Sequence, residues 1–182
     1  MSDTADRYRR LAGAFTETVA AVPANRWEST SPCEGWTARD VVRHVVDTHG
    51  MFLGLVGREL GDIASVDDDP LAAWRAARDA IQADLDDPAR AGATFQGWRG
   101  PSTFAEAIDR FICFDQVVHR WDLARATGLD ERMDPAEVRL AFELVPYFGD
   151  DLRRPDVCGP ALQPPPGADE QTRLLAVLGR RA

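Results

Sequence analysis

The sequence predicts an all-α fold: a four-helix bundle with an additional C-terminal helix and a proline-rich tail. Two observations lead to this prediction. Apolar residues recur at helical spacing in several long segments, and these segments begin at capping residues and end at proline or glycine. No segment shows the pattern of a convincing strand. We expect the bundle to occupy residues 1–150, and the tail with its short closing helix to occupy residues 151–182 and pack on the same domain.

The first two helices are separated by an ordered loop. Apolar side chains at helical spacing predict the first helix over residues 4–22, which ends before Pro23. Thr37 as N-cap, with Asp40 three residues later, forms a capping-box pattern that begins the second helix. We expect this helix to extend to about Leu60, and tertiary packing must stabilise it because its β-branched residues lower its intrinsic propensity.

The third helix begins near Pro70, which suits a first helical position, and ends at the Asp-Asp-Pro break of residues 86–88. Residues 89–101 follow and contain three glycines, which make a sheet implausible. We therefore expect a loop over one end of the bundle. The five tryptophans occupy positions where aromatic residues normally serve the core: Trp27, Trp36, Trp74, Trp98 and Trp121.

The fourth helix is the longest and clearest element. A second capping-box pattern at Thr103 begins it, and Gly128 supplies a left-handed stop. An aspartate N-cap followed by proline begins a fifth helix, which continues until Pro146 or shortly after. Residues 156–166 are rich in proline and glycine and should follow the surface, after which residues 169–178 predict the closing helix.

Composition excludes several classes of function. The formal net charge of −9 argues against a nucleic acid or an anionic membrane as partner, because both need a basic face. No apolar run approaches the roughly 18 residues of a membrane span, and no signal-peptide pattern is present, so we expect a cytoplasmic protein. The sequence also lacks a Gly-rich phosphate loop and a Gly-x-Ser-x-Gly motif.

The three cysteines are widely spaced and form no Cys-x-x-Cys pair, so we expect free thiols rather than a disulfide or a thiolate zinc site: Cys33, Cys113 and Cys158. Cys33 lies near a predicted helix start, a position that favours the thiolate form, so a nucleophilic role for Cys33 is one interpretation. We favour the simpler interpretation, a loop cysteine packed under Trp36.

The fourth helix carries an acid and an imidazole on an apolar face, since Asp115 and His119 lie four residues apart. Burying a carboxylate is costly unless it is paired, so these groups need each other, another polar group or a metal ion. A metal site needs a third ligand from a facing helix, which offers His44 and His49. Periodicity favours His49, near the middle of its apolar stripe. The alternative is an Asp–His pair that satisfies itself without an ion.

Asp122, three residues after His119, has two interpretations. It could accept a hydrogen bond from the imidazole and thereby fix its tautomer. It could equally be an exposed acid beside Arg120 or Arg125. We favour the exposed acid.

Three segments resemble the mycothiol-dependent maleylpyruvate isomerase metal-binding domain family, within the DinB-like four-helix bundles. They are PCEGWTARDVVRHV at residues 32–45, DQVVHRWDL at residues 115–123 and, similar to the tail of actinobacterial members, DEQTRLLAVLGR at residues 169–180. The resemblance covers most of the chain. It implies that His44, Asp115 and His119 hold a divalent ion, with zinc as the expected metal and nickel and iron as alternatives. It also implies that His49 is not a ligand but a neighbour in the pocket or the core. The isomerase has Glu where this chain has the shorter Asp115.

The resemblance also implies a chemistry. A low-molecular-weight thiol, mycothiol in actinobacteria, would bind as thiolate at the open metal position and attack an electrophile. The result would be thiol transfer, or isomerisation through a transient adduct. The isomerase carries a further C-terminal domain where this chain has a short proline-rich tail, so maleylpyruvate is not the substrate we favour. The alternative function is a non-catalytic, metal-containing bundle that binds a small molecule or a protein partner. The sequence is compatible with a homodimer.

Overall fold

The computed structural model describes residues 3–97, 99–154 and 157–182; Trp98 and Asp156, the first residue of the expected surface segment, lie outside them. The predicted all-α fold is confirmed, with a small two-stranded hairpin in addition. Its helices are α1 (Asp3–Ala21), α2 (Ala38–Gly54), α3 (Pro70–Asp86), α4 (Pro88–Ala91), α5 (Phe104–Ala107), α6 (Cys113–Thr127), α7 (Pro135–Phe148) and α8 (Glu170–Val177).

Four of these helices form the bundle. Helices α1 and α2 each pack against both α3 and α6, which gives the order α1, α3, α2, α6 around the core. The interior is apolar and closely packed, as burial of the helical stripes requires. Its largest buried side chains include Tyr8, Phe15, Leu53, Trp74, Ile81 and Ile112.

The helix starts follow the predicted capping residues. The Thr37 side chain accepts from the backbone N–H of Asp40, whose carboxylate accepts from the backbone N–H of Thr37. Helix α2 ends at Gly54, earlier than the expected Leu60. Gly57 adopts φ +70° after this end, and the chain turns away there because that backbone conformation does not continue a right-handed helix.

The prediction of a plain loop over residues 89–101 was wrong. Helix α4 is followed by strands β1 (Thr94–Gly97) and β2 (Gly100–Thr103), which pair antiparallel with Phe95 opposite Ser102. Of the three glycines that argued against a sheet, Gly92 ends α4 and the other two lie where the hairpin closes. Gly97 pairs with Gly100, whose φ of +107° is accessible to glycine, so these residues serve the tight connection.

The predicted fourth helix is continuous in space but not uniformly α-helical. Helix α5 leads into a π-helical turn, Ile108–Ile112, and then into α6. The predicted ends are confirmed: Thr103 caps α5 in a capping box with Glu106, and Gly128 adopts φ +76° after α6. A π-turn adds a residue to the helical repeat, and such turns often occur beside functional sites.

Helix α6 is buried on two faces. One face contributes to the bundle core, and the other packs against α7, α8 and the turn that follows α7. This second apolar cluster includes the fully buried Trp121, with Leu174, Leu175 and Leu178 from the closing segment. Gly179 then adopts φ +77°, as the predicted helix end requires. Among the described residues, no helix has both the length and the apolar composition needed to cross a membrane.

Candidate metal centre

The packing of α2 against α6 brings together the side chains of His44, Asp115 and His119. Asp115 lies between the two imidazoles, with Oδ2 3.5 Å from His44 Nε2 and Oδ1 3.2 Å from His119 Nε2. One ligand atom from each residue lies within 4.8 Å of the others. The side chains are 35% (His44), 25% (Asp115) and 9% (His119) exposed, so the cluster lies at the edge of the core and can be reached from outside. Two imidazole nitrogens and a carboxylate oxygen are donors suited to a divalent ion such as zinc.

The orientation of His119 is set by Asp122, one turn further along α6. His119 Nδ1 donates to Asp122 Oδ2 at 2.9 Å, and the other ring nitrogen, Nε2, is directed towards Asp115 and His44. Our preference for Asp122 as an exposed acid was therefore wrong, because its side chain is fully buried. The carboxylate acts instead as the hydrogen-bond acceptor that fixes the tautomer of the imidazole.

Arg180, from the segment after α8, compensates the buried charge of Asp122. Its Nε lies 2.8 Å from Asp122 Oδ1 and its Nη2 lies 2.8 Å from Asp122 Oδ2. Burial alone would raise the pKa of Asp122, but Arg180 and His119 lower it to about 2. Sequence reasoning missed this role of Arg180, since the contact joins α6 to a segment that is far away along the chain. The resemblance of residues 169–180 to a family tail includes Arg180 but assigned it no role.

Cys33 lies beside the same ion pair, and all three cysteines are free thiols as predicted. Its Sγ is 3.4 Å from Asp122 Oδ2 and 3.4 Å from Arg180 Nη2. Cys33, His119 and Asp122 thus form a second group of potential ligands, which shares His119 with the first. The Arg180 guanidinium already supplies a positive charge on that side, and His119 Nδ1 carries a proton towards Asp122. A metal ion is therefore better accommodated on the Nε2 side, between His44 and Asp115.

Trp36 covers the two imidazoles of the cluster. Its ring centroid lies 5.0 Å from that of His44 and 6.1 Å from that of His119, and its plane is nearly parallel to the His119 ring. The backbone N–H of Trp36 donates to the carbonyl of Cys33 in the turn before α2. The loop that precedes α2 therefore forms one wall of the centre and restricts the access of water to it.

His49, which periodicity favoured, is a hydrogen-bonded core residue. Its Nδ1 donates to the carbonyl of Val45 at 2.7 Å, and its Nε2 lies 3.1 Å from the Tyr8 hydroxyl and 3.3 Å from Gln116 Nε2. Both ring nitrogens are engaged, and burial lowers the pKa of His49 to about 4. The apolar stripe of α2 correctly identified His49 as the inward-facing histidine. The histidine beside Asp115 is instead His44, at the edge of that stripe.

Without an ion, Asp115 and His119 stabilise each other. Burial opposes ionisation of Asp115, but the imidazoles of His119 and His44 hold its pKa below the usual range. Burial likewise opposes protonation of His119, while Asp115, Asp122 and Cys33 raise its pKa well above the usual value. A proton on His119 and a divalent cation would compensate the same Asp115 carboxylate, so a bound cation would replace that proton.

A cavity of about 650 Å³ opens directly beside the cluster, and both His44 and Asp115 form part of its wall. Its volume lies in the range of small-molecule sites. Two of the three residues of the cluster therefore border a space large enough for a further ligand.

Comparison with known proteins gives one family. The family model described as "Mycothiol maleylpyruvate isomerase N-terminal domain" matches residues 8–124, which include all three members of the cluster and Asp122. The uncharacterized proteins Rv0738 (strain H37Rv) and MT0763 (strain CDC 1551) of Mycobacterium tuberculosis are each 29% identical over 131 residues, or 70% of this chain and 69% of theirs. No solved structure gives a significant match.

Proposed function

Because the chain belongs to the mycothiol maleylpyruvate isomerase N-terminal domain family, we propose that it is a metal-dependent enzyme that uses a low-molecular-weight thiol, mycothiol, against a small electrophilic substrate. Membership of this family implies a mycothiol-related, metal-binding function. One observation supports the catalytic part of the proposal: the cluster of His44, Asp115 and His119 borders an open cavity.

The proposed ligands are His44, Asp115 and His119, and zinc is the expected ion, with nickel and iron as alternatives. When bound, the ion supplies a positive charge that lowers the pKa of a thiol beside it, so that the thiol reacts as thiolate at neutral pH. Residues 1–150 contain all three proposed ligands, and we propose that residues 151–182 pack on the same domain and hold Asp122 through Arg180.

In the transfer reaction, the thiolate sulfur forms a bond to an electrophilic carbon, the leaving group departs with its bonding electron pair, and the thiol proton passes to solvent. In an isomerisation, the sulfur adds to a conjugated carbon, the bond beside it rotates, and the sulfur leaves again. This chain contributes orientation to either reaction: Asp122 holds the His119 ring, and Trp36 covers one side of the centre. A cytoplasmic location, where low-molecular-weight thiols are kept reduced, fits this chemistry.

The second candidate is a non-catalytic bundle that keeps a metal for structure and binds a small molecule or a protein. The position of Cys33 favours it, since its sulfur lies beside Asp122 and the shared ligand His119. An ion closed by four protein ligands would leave no position for a thiol. The two candidates therefore differ in whether an added thiol reaches the ion.

Metal analysis and cobalt spectroscopy test the proposal. Protein purified without a histidine tag should contain a stoichiometric divalent ion, and His44→Ala and His119→Ala should each lose it, whereas Cys33→Ser should retain it. Addition of mycothiol to the cobalt-substituted protein should produce a thiolate-to-cobalt charge-transfer band. A protein without the ion, or an ion content unaffected by both histidine substitutions, would contradict the ligand set. A thiolate band present before mycothiol is added and lost in Cys33→Ser would favour the closed structural site.

A further inference from the structure

The cavity beside the candidate metal centre has mainly apolar walls. Four phenylalanines and a leucine form much of its surface, and they come from α2, the π-turn, α6, α7 and the turn after α7: Phe52, Phe111, Phe114, Phe148 and Leu152. Several of these rings contact one another, with centroids 4.9 Å apart for Phe114 and Phe148 and 5.5 Å apart for Phe111 and Phe148. A surface of this kind binds a ligand mainly by removing apolar area from water.

The side chains that line the cavity include three carboxylates, Asp47, Asp115 and Asp151, and two guanidinium groups, Arg99 and Arg154. Arg99 already donates to Asp151 Oδ2 at 2.9 Å and to a backbone carbonyl at 3.1 Å, and it lies over the ring of Tyr147. The side chains of the cavity therefore carry no excess of positive charge, and the attraction of a carboxylate-rich substrate would depend on the proposed ion alone.

Part of the cavity wall comes from residues outside the part of the chain that the family model matches. That match ends at residue 124, whereas Phe148, Asp151 and Leu152 come from the end of α7 and the following 3₁₀ turn. The proposed ligands His44 and Asp115 lie on the matched side of the cavity. Two parts of the chain thus line one cavity: the matched part supplies these two proposed ligands and three of the phenylalanines, and the part after residue 124 supplies Phe148 and Leu152.

We propose that this cavity binds the electrophile, and that the electrophile has a neutral aromatic or comparably apolar body whose reactive carbon faces His44 and Asp115. The assignment rests on the proposed thiol chemistry and specifies its substrate class. Phe148 and Leu152 contribute to this preference, because they line the same cavity as His44 and Asp115 and present apolar side chains to it. A small polyanion gains less from this apolar wall than a neutral body does, because its charges would lose water against aromatic and aliphatic side chains that form no hydrogen bond with them.

Binding of a neutral aromatic dye tests the cavity without turnover. The fluorescence of N-phenyl-1-naphthylamine should rise in a saturable manner on titration of the zinc-loaded full chain. Met51, which is 48% exposed and borders the cavity, allows a charge to be placed there with little risk to folding. Met51→Glu should weaken dye binding at least tenfold, whereas the control Leu140→Glu, at a 40% exposed position of α7 away from the cavity, should not change it. Equal dye affinity in wild type and Met51→Glu would overturn the assignment.

Turnover of matched electrophiles then separates this inference from the proposed function. Benzyl bromide and 4-(bromomethyl)benzoate have the same type of reactive carbon, and only the second compound carries a carboxylate. In both reactions the mycothiol sulfur forms a bond to the benzylic carbon as bromide leaves. The rate enhancement over the uncatalysed reaction should be at least tenfold larger for benzyl bromide than for the carboxylate compound. Met51→Glu should reduce the enhancement that is measured with benzyl bromide. Catalysis of both compounds with equal enhancement would overturn the substrate class but support the function. A third outcome is that Met51→Glu weakens dye binding but the protein accelerates neither reaction. That result would refute the proposed function and support the cavity as an apolar binding site.

Discussion

The guanidinium of Arg180 and the carboxylate of Asp122 form a buried, two-point ion pair, with both nitrogen–oxygen distances at 2.8 Å. The pair joins the segment after α8 to α6, and Asp122 accepts a hydrogen bond from His119 at the same time. Bidentate contacts of this type are geometrically specific. The position of the His119 ring therefore depends on a residue that is distant in sequence from every proposed ligand.

Loss of Arg180 should destabilise the fold. Arg180→Met removes the cation and leaves the Asp122 carboxylate buried with reduced compensation, for which we expect a loss of about 3–5 kcal/mol in the free energy of unfolding. Urea denaturation measures this change. The matched control is Arg173→Met, an exposed arginine of α8, which should alter the free energy by less than about 0.5 kcal/mol. Equal stability of the two variants would show that the ion pair contributes little.

The hydrogen bond between Asp122 and His119 should matter for metal affinity. Asp122→Asn keeps the size of the side chain but removes its charge and one strong acceptor, so zinc affinity should fall about 10–100-fold. Competition with a chromophoric chelator measures the affinity, and urea denaturation in parallel shows how far the fold is affected. Asp130→Asn, at an exposed loop carboxylate, is the control and should bind zinc as wild type does. Unchanged affinity in Asp122→Asn would mean that packing alone holds the imidazole.

Local patterns predicted the helices well because their causes are local. The predicted capping residues Thr37, Thr103 and Asp134 each accept a hydrogen bond from the first turn of their own helix, within three residues along the chain. The hairpin was missed for a related reason. Gly97 and Gly100 lower strand propensity, but two antiparallel strands that close at a tight turn need glycine at such positions. The same residue type therefore supports opposite interpretations.

The candidate site could be only partly predicted. The spacing of Asp115 and His119 identified two neighbouring groups, since an i, i+4 pair depends only on helical geometry. The third group was harder to identify. Periodicity selects the side chain that points most directly inward, and that residue, His49, forms hydrogen bonds within the core, whereas His44 at the rim borders the cavity. The burial of Asp122 was not predictable from its neighbours, because its partner Arg180 comes from a distant segment.

The three thiols should differ in reactivity. Cys113 is fully buried, and burial raises its pKa to about 12, whereas Cys33 and Cys158 are half-buried. Relative to an ordinary thiol, the thiolate fraction of Cys113 is lower by about a thousandfold, and alkylation requires the thiolate. Treatment of the native protein with iodoacetamide, followed by mass spectrometry, should label Cys33 and Cys158 well before Cys113. In urea all three should react at similar rates, and labelling of Cys113 in the native state as fast as Cys33 would contradict its burial.

His49 links stability to pH through its burial. The folded protein keeps the imidazole neutral, with a pKa of about 4, because protonation would place a charge beside Tyr8 and Gln116 in the core. The unfolded chain protonates the same group near pH 6.5. Between these values the unfolded state binds more protons than the folded state does. The contribution of His49 to stability is therefore fully present above pH 6.5 and is lost as the pH falls towards 4.

We expect His49→Gln to reduce the pH dependence of stability over this window. Each fully titrating group contributes a limiting slope of about 1.4 kcal/mol per pH unit, so urea denaturation of metal-free protein between pH 7 and pH 4.5 should show a steeper loss for wild type than for the variant. The other ionisable groups remain in both proteins, and their contributions largely cancel in the difference. Tyr8→Phe, which removes a hydrogen-bond partner but retains the imidazole, should keep the steep slope. Parallel curves for wild type and His49→Gln would show that His49 does not stay neutral in the folded protein.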